Sequence, residues 1–289
     1  MPDVTIPTQA PSQPLTVKDY RSEVKPVWCP GCGDFGVLSA TFKALAMLQI
    51  PVQQVVVVSG IGCSSRAPYF MRVYGFHGVH GRALPIATGI KLARPDLTVL
   101  AMGGDGDLMA IGMGHLPHAI SRNVDITCIM MDNQIYGLTK AQASPTTFLG
   151  HKTKSTPYGV MARPLNPVLL ALASGATFVA RGYSARPNEL AQIIAEGVRH
   201  RGFSFIHVHS PCVEFFNTYD YYDQRITTLP ADWDPHDLKG AMELALTEKE
   251  VHLGIFYRAE TPAYEDRLRE VAPKKGEFDL DRYLRERYM

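Results

Sequence analysis

Short apolar runs that alternate with longer helical stretches constrain the fold of this chain more than any other feature. Five runs read as strands: residues 55–59, 97–102, 126–131, 177–180 and 203–208. Five stretches read as helices: residues 35–48, 84–93, 108–121, 167–173 and 188–200. Several strands are apolar on both faces, which is typical of parallel strands covered by helices on both sides. The alternation predicts an α/β fold, a doubly wound parallel sheet.

Three segments organise the chain around this sheet. Residues 1–25 are interpreted as an N-terminal arm, residues 26–215 as the α/β domain, and residues 216–289 as a C-terminal extension with one helical stretch near residues 236–249. Residues 140–166 interrupt the alternation with prolines and polar residues. A loop of that length inside a compact domain is usually functional or mobile.

Composition argues against several classes of function. A net charge of +1 gives no reason to expect a nucleic acid or an anionic membrane as partner. Residues 1–17 lack the apolar core of a signal peptide, and the longest β-branched run, residues 55–58, cannot span a bilayer. We therefore expect a soluble, cytoplasmic protein. The five cysteines are widely spread, and in a reducing compartment such thiols serve as metal ligands more often than as disulfides.

Unusual residues follow four of the predicted strands. They occupy residues 60–66, 103–107, 132–137 and 209–212. Open parallel sheets bind their ligands at the carboxyl ends of the strands, where all four segments should meet. This convergence predicts a ligand site at that edge of the sheet.

The turn Gly104-Asp105-Gly106 suits an anion and a cation together. Its glycines let the backbone approach a phosphate, and the helix that follows can direct its N-terminus at the same group. Asp105, the amide oxygen of Asn133 and the carbonyl of Ile135 offer hard oxygen ligands to Mg²⁺. The alternative is an ordinary tight turn with a helix-capping aspartate.

The cysteines suggest a second centre at the same edge. Cys29 and Cys32 form a Cys-Pro-Gly-Cys motif, and Cys63 and Cys212 each follow a strand. Four thiolates can hold one [4Fe–4S] cluster or one zinc ion, and the spacing favours the cluster. Cys128 lies inside a strand and is interpreted as a core residue.

Six motifs, in matching order, resemble the β subunit of 2-oxoacid:ferredoxin oxidoreductases. The likeness extends over about residues 25–230. The motifs are WCPGCGD at 28–34, GIGCSS at 60–65, HGRA at 80–83, GDGD at 104–107, DNQIYGLT at 132–139 and SPTT at 144–147.

The resemblance implies thiamine diphosphate, Mg²⁺ and one [4Fe–4S] cluster as cofactors. It assigns the cluster to Cys29, Cys32, Cys63 and Cys212, and the Mg²⁺ to Asp105, Asn133 and Ile135. It assigns thiamine diphosphate to a longer set: Gly62, Cys63, Ser64, His80, Gly104, Asp105, Gly106, Asp107, Asn133, Ile135, Tyr136, Gly137, Leu138 and Thr139.

Three basic residues are the candidates for catalytic roles. Arg66 and Lys140 lie in segments that, in the family, approach the substrate carboxylates, and His80 lies in a segment that surrounds the cofactor. The alternatives are two solvated charges and a plain loop histidine. Ala141 departs from the family pattern, in which glycine is expected.

The implied activity is the coenzyme A-dependent oxidative decarboxylation of a 2-oxoacid with reduction of ferredoxin, or the reverse carboxylation. Arg66 and Lys140 could meet a second carboxylate, which favours 2-oxoglutarate and its product succinyl-CoA over pyruvate, indolepyruvate or branched-chain oxoacids. The chain has only the diphosphate half of a thiamine site. A partner α subunit, assembled as (αβ)₂, is therefore expected to supply the activating glutamate. A non-catalytic iron–sulfur electron-transfer subunit is the alternative from another class.

Overall fold

The structure is a computed structural model that describes residues 13–247, 249–271 and 280–288. Its strands are β1 (Val55–Ser59), β2 (Tyr74–His77), β3 (Thr98–Gly104), β4 (Thr127–Asp132), β5 (Ile135–Tyr136), β6 (Gln142–Ala143), β7 (Phe178–Tyr183), β8 (Ser204–His209), β9 (Ile226–Thr228) and β10 (Val251–Arg258). Eight of them form the central sheet in the order β2-β1-β3-β4-β8-β7-β10-β9, and β5 and β6 pair as a separate hairpin. The first six strands of this order are mutually parallel, and β10 is antiparallel to β7.

Helices cover both faces of the sheet. They are α1 (Asp34–Leu48), α2 (Ala83–Ala93), α3 (Leu116–Arg122), α4 (Pro167–Ala173), α5 (Pro187–Arg199), α6 (Tyr219–Asp223), α7 (Leu238–Ala245), α8 (Tyr264–Val271) and α9 (Leu280–Tyr288). One apolar cluster packs α2, α3, α4 and α7 on one face, and a second packs α1 and α5 on the other. This arrangement confirms the predicted doubly wound α/β fold.

Strand β1 illustrates why the central strands are apolar throughout. Val56 and Val58 belong to the cluster on the α2 face, whereas Val55 and Val57 belong to the cluster on the α1 face. Successive side chains of a strand point to opposite faces, so a strand with helices on both sides is apolar along most of its length, as β1 is up to Ser59.

The prediction of one continuous helix over residues 108–121 was wrong. A π-helical turn spans Asp107–Ile111, and α3 begins only at Leu116. The Gly112 amide donates to the Asp107 carbonyl at 3.1 Å, the wide spacing of a π-turn. Gly112 and Gly114 lie in the gap, and glycine is a poor helix former.

Both predicted flanking segments contact the central sheet or its helices. The buried Tyr20 hydroxyl donates to the carbonyls of Leu45 and Ile50, at 2.9 and 2.7 Å, and so fastens the described part of the arm to α1. Strands β9 and β10, which the sequence did not predict, extend the sheet. No helix within the described residues has the length and hydropathy needed to cross a membrane.

Candidate active site

A cavity of about 190 Å³ lies at the carboxyl ends of β1, β3 and β4. All fourteen residues predicted to bind thiamine diphosphate line it. The complete lining is Ile61, Gly62, Cys63, Ser64, His80, Gly104, Asp105, Gly106, Asp107, Asn133, Ile135, Tyr136, Gly137, Leu138 and Thr139. The structure thus brings together in one concave space side chains from segments far apart in sequence.

Asp105 is one of two buried carboxylates that line this cavity. Its Oδ2 atom accepts a hydrogen bond from the Thr146 hydroxyl at 2.7 Å. Burial, together with the negative charge of Asp132, raises the pKa of Asp105 to about 8. A cation at this position would stabilise the ionised carboxylate, so the electrostatics of the cavity are suited to a metal.

Asn133 and Ile135 line the same cavity as Asp105, at the start of the β5–β6 hairpin. The Asn133 Oδ1 atom accepts from the Ile135 amide at 3.0 Å, which closes a short turn at the start of β5. The hairpin reverses through Lys140 and Ala141, whose φ angles are 71° and 84°. This left-handed region favours glycine, which gives a physical reason for the glycine expected in place of Ala141.

Asp107 connects the loops that surround the cavity. Its Oδ1 atom accepts from the amides of Ile61 and Gly81, at 2.9 and 2.7 Å, and lies 2.8 Å from His80 Nδ1. The side chain is fully buried. Asp107 therefore fixes the position of His80 at the edge of the cavity.

The thiols of the Cys-Pro-Gly-Cys loop approach Cys212 because Gly33 has no side chain. A Cβ atom at Gly33 would lie 2.7 Å from the carbonyl carbon of Ser210 and 2.8 Å from the nitrogen of Pro211. The Gly33 amide also donates to the Pro211 carbonyl at 3.1 Å. This close backbone contact holds the loop of Cys29 and Cys32 against the segment that carries Cys212.

Gly137, which lines the cavity, lies close to two of the thiols. A Cβ atom at Gly137 would lie 3.6 Å from the Cys63 sulfur and 3.8 Å from the Cys212 sulfur. Burial, reinforced by the nearby Asp34 carboxylate, raises the pKa of the Cys63 thiol to about 11 and shifts the pKa of Cys32 upward as well. Both thiols must lose a proton to ligate a metal. Cys128 lies inside β4 and is buried, as predicted.

The two cations predicted to contact substrate lie outside the cavity lining. Arg66 is half-buried in the turn after Cys63, to whose carbonyl its amide donates at 3.2 Å. Lys140 is exposed at the tip of the β5–β6 hairpin. His80, the third candidate, lines the cavity.

Sequence reasoning assigned no role to three buried side chains behind the cavity, which are those of Asp132, Thr146 and His207. Thr146 contacts both Asp105 and Asp132, and His207 contacts Asp132. A detectable signal existed for His207, since it is a polar residue within an apolar strand.

Two families match consecutive parts of the chain. Residues 60–208 match the family described as "Thiamine pyrophosphate enzyme, C-terminal TPP binding domain". Residues 212–273 match the family that describes the C-terminal part of the pyruvate ferredoxin oxidoreductase beta subunit. Together with the parallel sheet and its cavity, these matches define the class of protein as a thiamine-diphosphate-dependent enzyme.

Similar proteins narrow this class. The chain is 46% identical over 264 residues to the 2-oxoacid:ferredoxin oxidoreductase subunit beta of Sulfolobus sp, covering 85% of this chain and 86% of that protein. It is 38% identical over 256 residues to the 2-oxoglutarate synthase subunit KorB of Methanocaldococcus jannaschii, covering 86% of this chain and 93% of that protein. The structure is also similar to one described as 2-oxoglutarate:ferredoxin oxidoreductase from Magnetococcus marinus with 2-oxoglutarate, coenzyme A and succinyl-CoA bound. The TM-score is 0.92 and the sequence identity 40%, and the match covers 95% of this chain and 97% of that chain. The chain belongs to the 2-oxoacid:ferredoxin oxidoreductase β-subunit family, which confirms the resemblance.

Proposed function

We propose that this chain, with an α subunit as its partner, catalyses the coenzyme A-dependent oxidative decarboxylation of 2-oxoglutarate to succinyl-CoA and carbon dioxide. Ferredoxin accepts the electrons, and the reverse carboxylation runs at the same site. One observation carries the proposal: Cys63 lines the cavity that contains Asp105 and also lies beside Cys212, across Gly137. A redox centre on these thiols would therefore touch the wall of the cofactor cavity.

The donor set in the cavity fits Mg²⁺ and a diphosphate. Asp105, the amide oxygen of Asn133 and the Ile135 carbonyl would hold the metal, a hard-oxygen set that Mg²⁺ prefers. The group that most perturbs Asp105 electrostatically is a second carboxylate, Asp132, so a cation would compensate a buried negative pair. When bound, thiamine diphosphate supplies the carbanion chemistry. The residues of this chain would bind and orient the cofactor, and its thiolates would hold the cluster that accepts the electrons.

The thiol geometry favours an iron–sulfur cluster over zinc. Around a tetrahedral zinc ion, with Zn–S bonds of about 2.3 Å, the sulfur atoms lie about 3.8 Å apart. Among the described residues, no three cysteine sulfurs come within 4.8 Å of one another. A [4Fe–4S] cluster separates its four thiolates more widely. We therefore assign the cluster to Cys29, Cys32, Cys63 and Cys212.

The cavity also indicates what an α subunit must add. Its lining contains no glutamate, yet the family requires one to activate the aminopyrimidine. We propose that α supplies this glutamate and part of the substrate pocket, in an (αβ)₂ assembly.

The proposed function is tested by anaerobic co-purification with the α subunit, followed by iron, sulfide and thiamine analysis of one sample. We expect about four irons and about one thiamine diphosphate per αβ pair. The isolated β chain, assayed with thiamine diphosphate, coenzyme A and an artificial acceptor, is the control and should be inactive. Zinc without iron would refute the cluster, absent thiamine would refute the cofactor site, and full activity of β alone would refute the need for α.

Arg66→Ala tests the choice of substrate. If Arg66 meets the second carboxylate, kcat/KM for 2-oxoglutarate should fall by on the order of tenfold or more, since a charge-assisted hydrogen bond contributes about 1.5–3 kcal/mol. Pyruvate lacks that carboxylate, and its kcat/KM should change little. Arg122→Ala removes an exposed cation whose guanidinium donates to the His118 carbonyl of its own helix, and is the control. Equal losses for both substrates would remove the reason for preferring 2-oxoglutarate over pyruvate or another 2-oxoacid.

A further inference from the structure

A chain of buried hydrogen bonds leads from the cavity into the centre of the sheet. The Thr146 hydroxyl lies 2.7 Å from Asp105 Oδ2 and 2.8 Å from Asp132 Oδ1. The other oxygen of Asp132 lies 2.8 Å from the Nε2 atom of His207, on β8. None of the four side chains is more than 3% exposed. The chain therefore links the candidate Mg²⁺ ligand Asp105 to a histidine two strands away.

The donors and acceptors of this chain have a defined order when Asp105 is an ionised metal ligand. A hydroxyl carries one hydrogen, so Thr146 can donate to Asp105 or to Asp132, but not to both. With Thr146 committed to Asp105, Asp132 needs donors of its own. The backbone amide of Gln134 donates to Asp132 Oδ1 at 3.0 Å, and the Nε2–H group of His207 donates to Oδ2. His207 thus holds one oxygen of the Asp132 carboxylate, whose other oxygen lies in close contact with the Thr146 hydroxyl.

The same region is poorly suited to a metal of its own. Asp132, His207 and His209 bring ligand atoms within 4.8 Å of one another. However, Arg181 pairs with His207 across β7 and β8 in the sheet register, and its side chain is buried. A divalent ion there would lie beside a fixed positive charge in a low-dielectric interior. A hydrogen-bond network is therefore the better interpretation of this cluster.

We propose that His207 is a positioning residue for the cofactor metal, acting through Asp132 and Thr146 on the Asp105 carboxylate. This inference rests on the proposed function, because it requires Mg²⁺ and thiamine diphosphate in the cavity. Groups bonded directly to a metal ligand typically change metal affinity by about 10–100-fold, and for His207, two contacts further back, we expect the lower end of that range. His207 would set how tightly the cavity retains its cofactor, without touching it.

The test is the affinity of the cofactor-free αβ complex for Mg²⁺ at saturating thiamine diphosphate, followed by protein fluorescence. In His207→Leu, the half-saturating Mg²⁺ concentration should rise by about tenfold or more. His207→Gln retains an amide donor and should recover most of that loss. The KM values for 2-oxoglutarate and coenzyme A, measured at saturating Mg²⁺, should remain those of the wild type, as should the iron content.

His209→Phe is the matched control. His209 lies two residues along β8, is also buried, and has no hydrogen-bond partner on either ring nitrogen within the described residues. Its ring packs edge-on against His207, with ring centroids 4.5 Å apart, and stacks on Tyr222 at 4.1 Å. A phenyl ring keeps that stacking, so Mg²⁺ affinity should be unchanged. Equal weakening by His209→Phe and His207→Leu, no rescue by His207→Gln, or an unchanged Mg²⁺ affinity in His207→Leu would overturn the inference. A wild-type complex that binds no thiamine diphosphate would instead refute the proposed function.

Discussion

Asp105→Asn should reduce turnover of the αβ complex by more than about 100-fold and remove bound thiamine diphosphate. Residues that act on a metal ligand from behind already change affinity by about 10–100-fold, and Asp105 is the proposed ligand itself. Asparagine has nearly the same shape, so the loss would reflect the missing charge. The measurement is kcat at saturating 2-oxoglutarate, together with thiamine content after gel filtration.

The same substitution should stabilise the cofactor-free protein at neutral pH and above. Burial, and then the charge of Asp132, raises the pKa of Asp105 from 3.8 to about 8. A raised carboxyl pKa contributes stability that is fully present below the unfolded value and is lost as the pH rises through the folded value. Between pH 5 and 8, wild type should therefore lose roughly 4 kcal/mol that Asp105→Asn does not lose, at about 1.4 kcal/mol per pH unit.

Thermal unfolding of the thiamine-free complexes at pH 5 and pH 8 measures this difference, because all other titrating groups are common to both proteins. Asp96→Asn, at an exposed carboxylate paired with Arg94, is the control and should show the wild-type pH dependence. Wild-type turnover in Asp105→Asn would contradict the metal site and support a non-catalytic electron-transfer subunit. Parallel pH dependences of wild type and Asp105→Asn would contradict the burial of a carboxylate without a counter-ion.

The strands that the sequence predicted are those whose side chains are buried on both faces of the sheet. Strand β1 was predicted to the residue because helices cover it on both sides. Strand β2 was not predicted, because as an edge strand it leaves Tyr74 and Phe76 exposed. Strand β10 was missed for a related reason, since only part of it is fully buried. The interrupted helix 108–121 failed because the amphipathic pattern continues across Gly112 and Gly114, where the backbone does not.

The site was predictable as far as the rule for parallel sheets extends. That rule places the residues after β1, β3 and β4 at one edge, and the cavity contains them. The rule does not predict the position of Thr146, because the long loop after β6 folds back through hydrogen bonds that leave no periodic pattern in the sequence. Asp107 was interpreted as a cofactor-binding residue from its motif alone. In the structure, its carboxylate accepts hydrogen bonds from the amides of Ile61 and Gly81. The sequence does not reveal this tertiary contact.

Gly33→Ala should remove the iron–sulfur cluster while leaving thiamine binding largely intact. The added methyl carbon would lie 2.7 and 2.8 Å from backbone atoms of Ser210 and Pro211. Neither atom belongs to a flexible side chain, so the Cys-Pro-Gly-Cys loop must move away from Cys212. Since four thiolates must reach one cluster, the iron content should fall from about four to below about one per αβ pair. Iron and labile sulfide analysis, with visible absorbance, measures the loss.

Gly89→Ala is the control for adding a methyl group. Gly89 lies in α2, where the added carbon would meet no described atom within 4 Å apart from its chain neighbours and the backbone of its own helix. Alanine should stabilise that helix by about 0.5–1 kcal/mol. Its iron and thiamine contents should equal those of the wild type. Full iron in Gly33→Ala would mean that the loop of Cys29 and Cys32 does not hold the cluster. Joint loss of iron and thiamine would mean that the thiols and the cavity fold as one unit. Loss of iron alone would show that they are separable, joined only where Cys63 belongs to both.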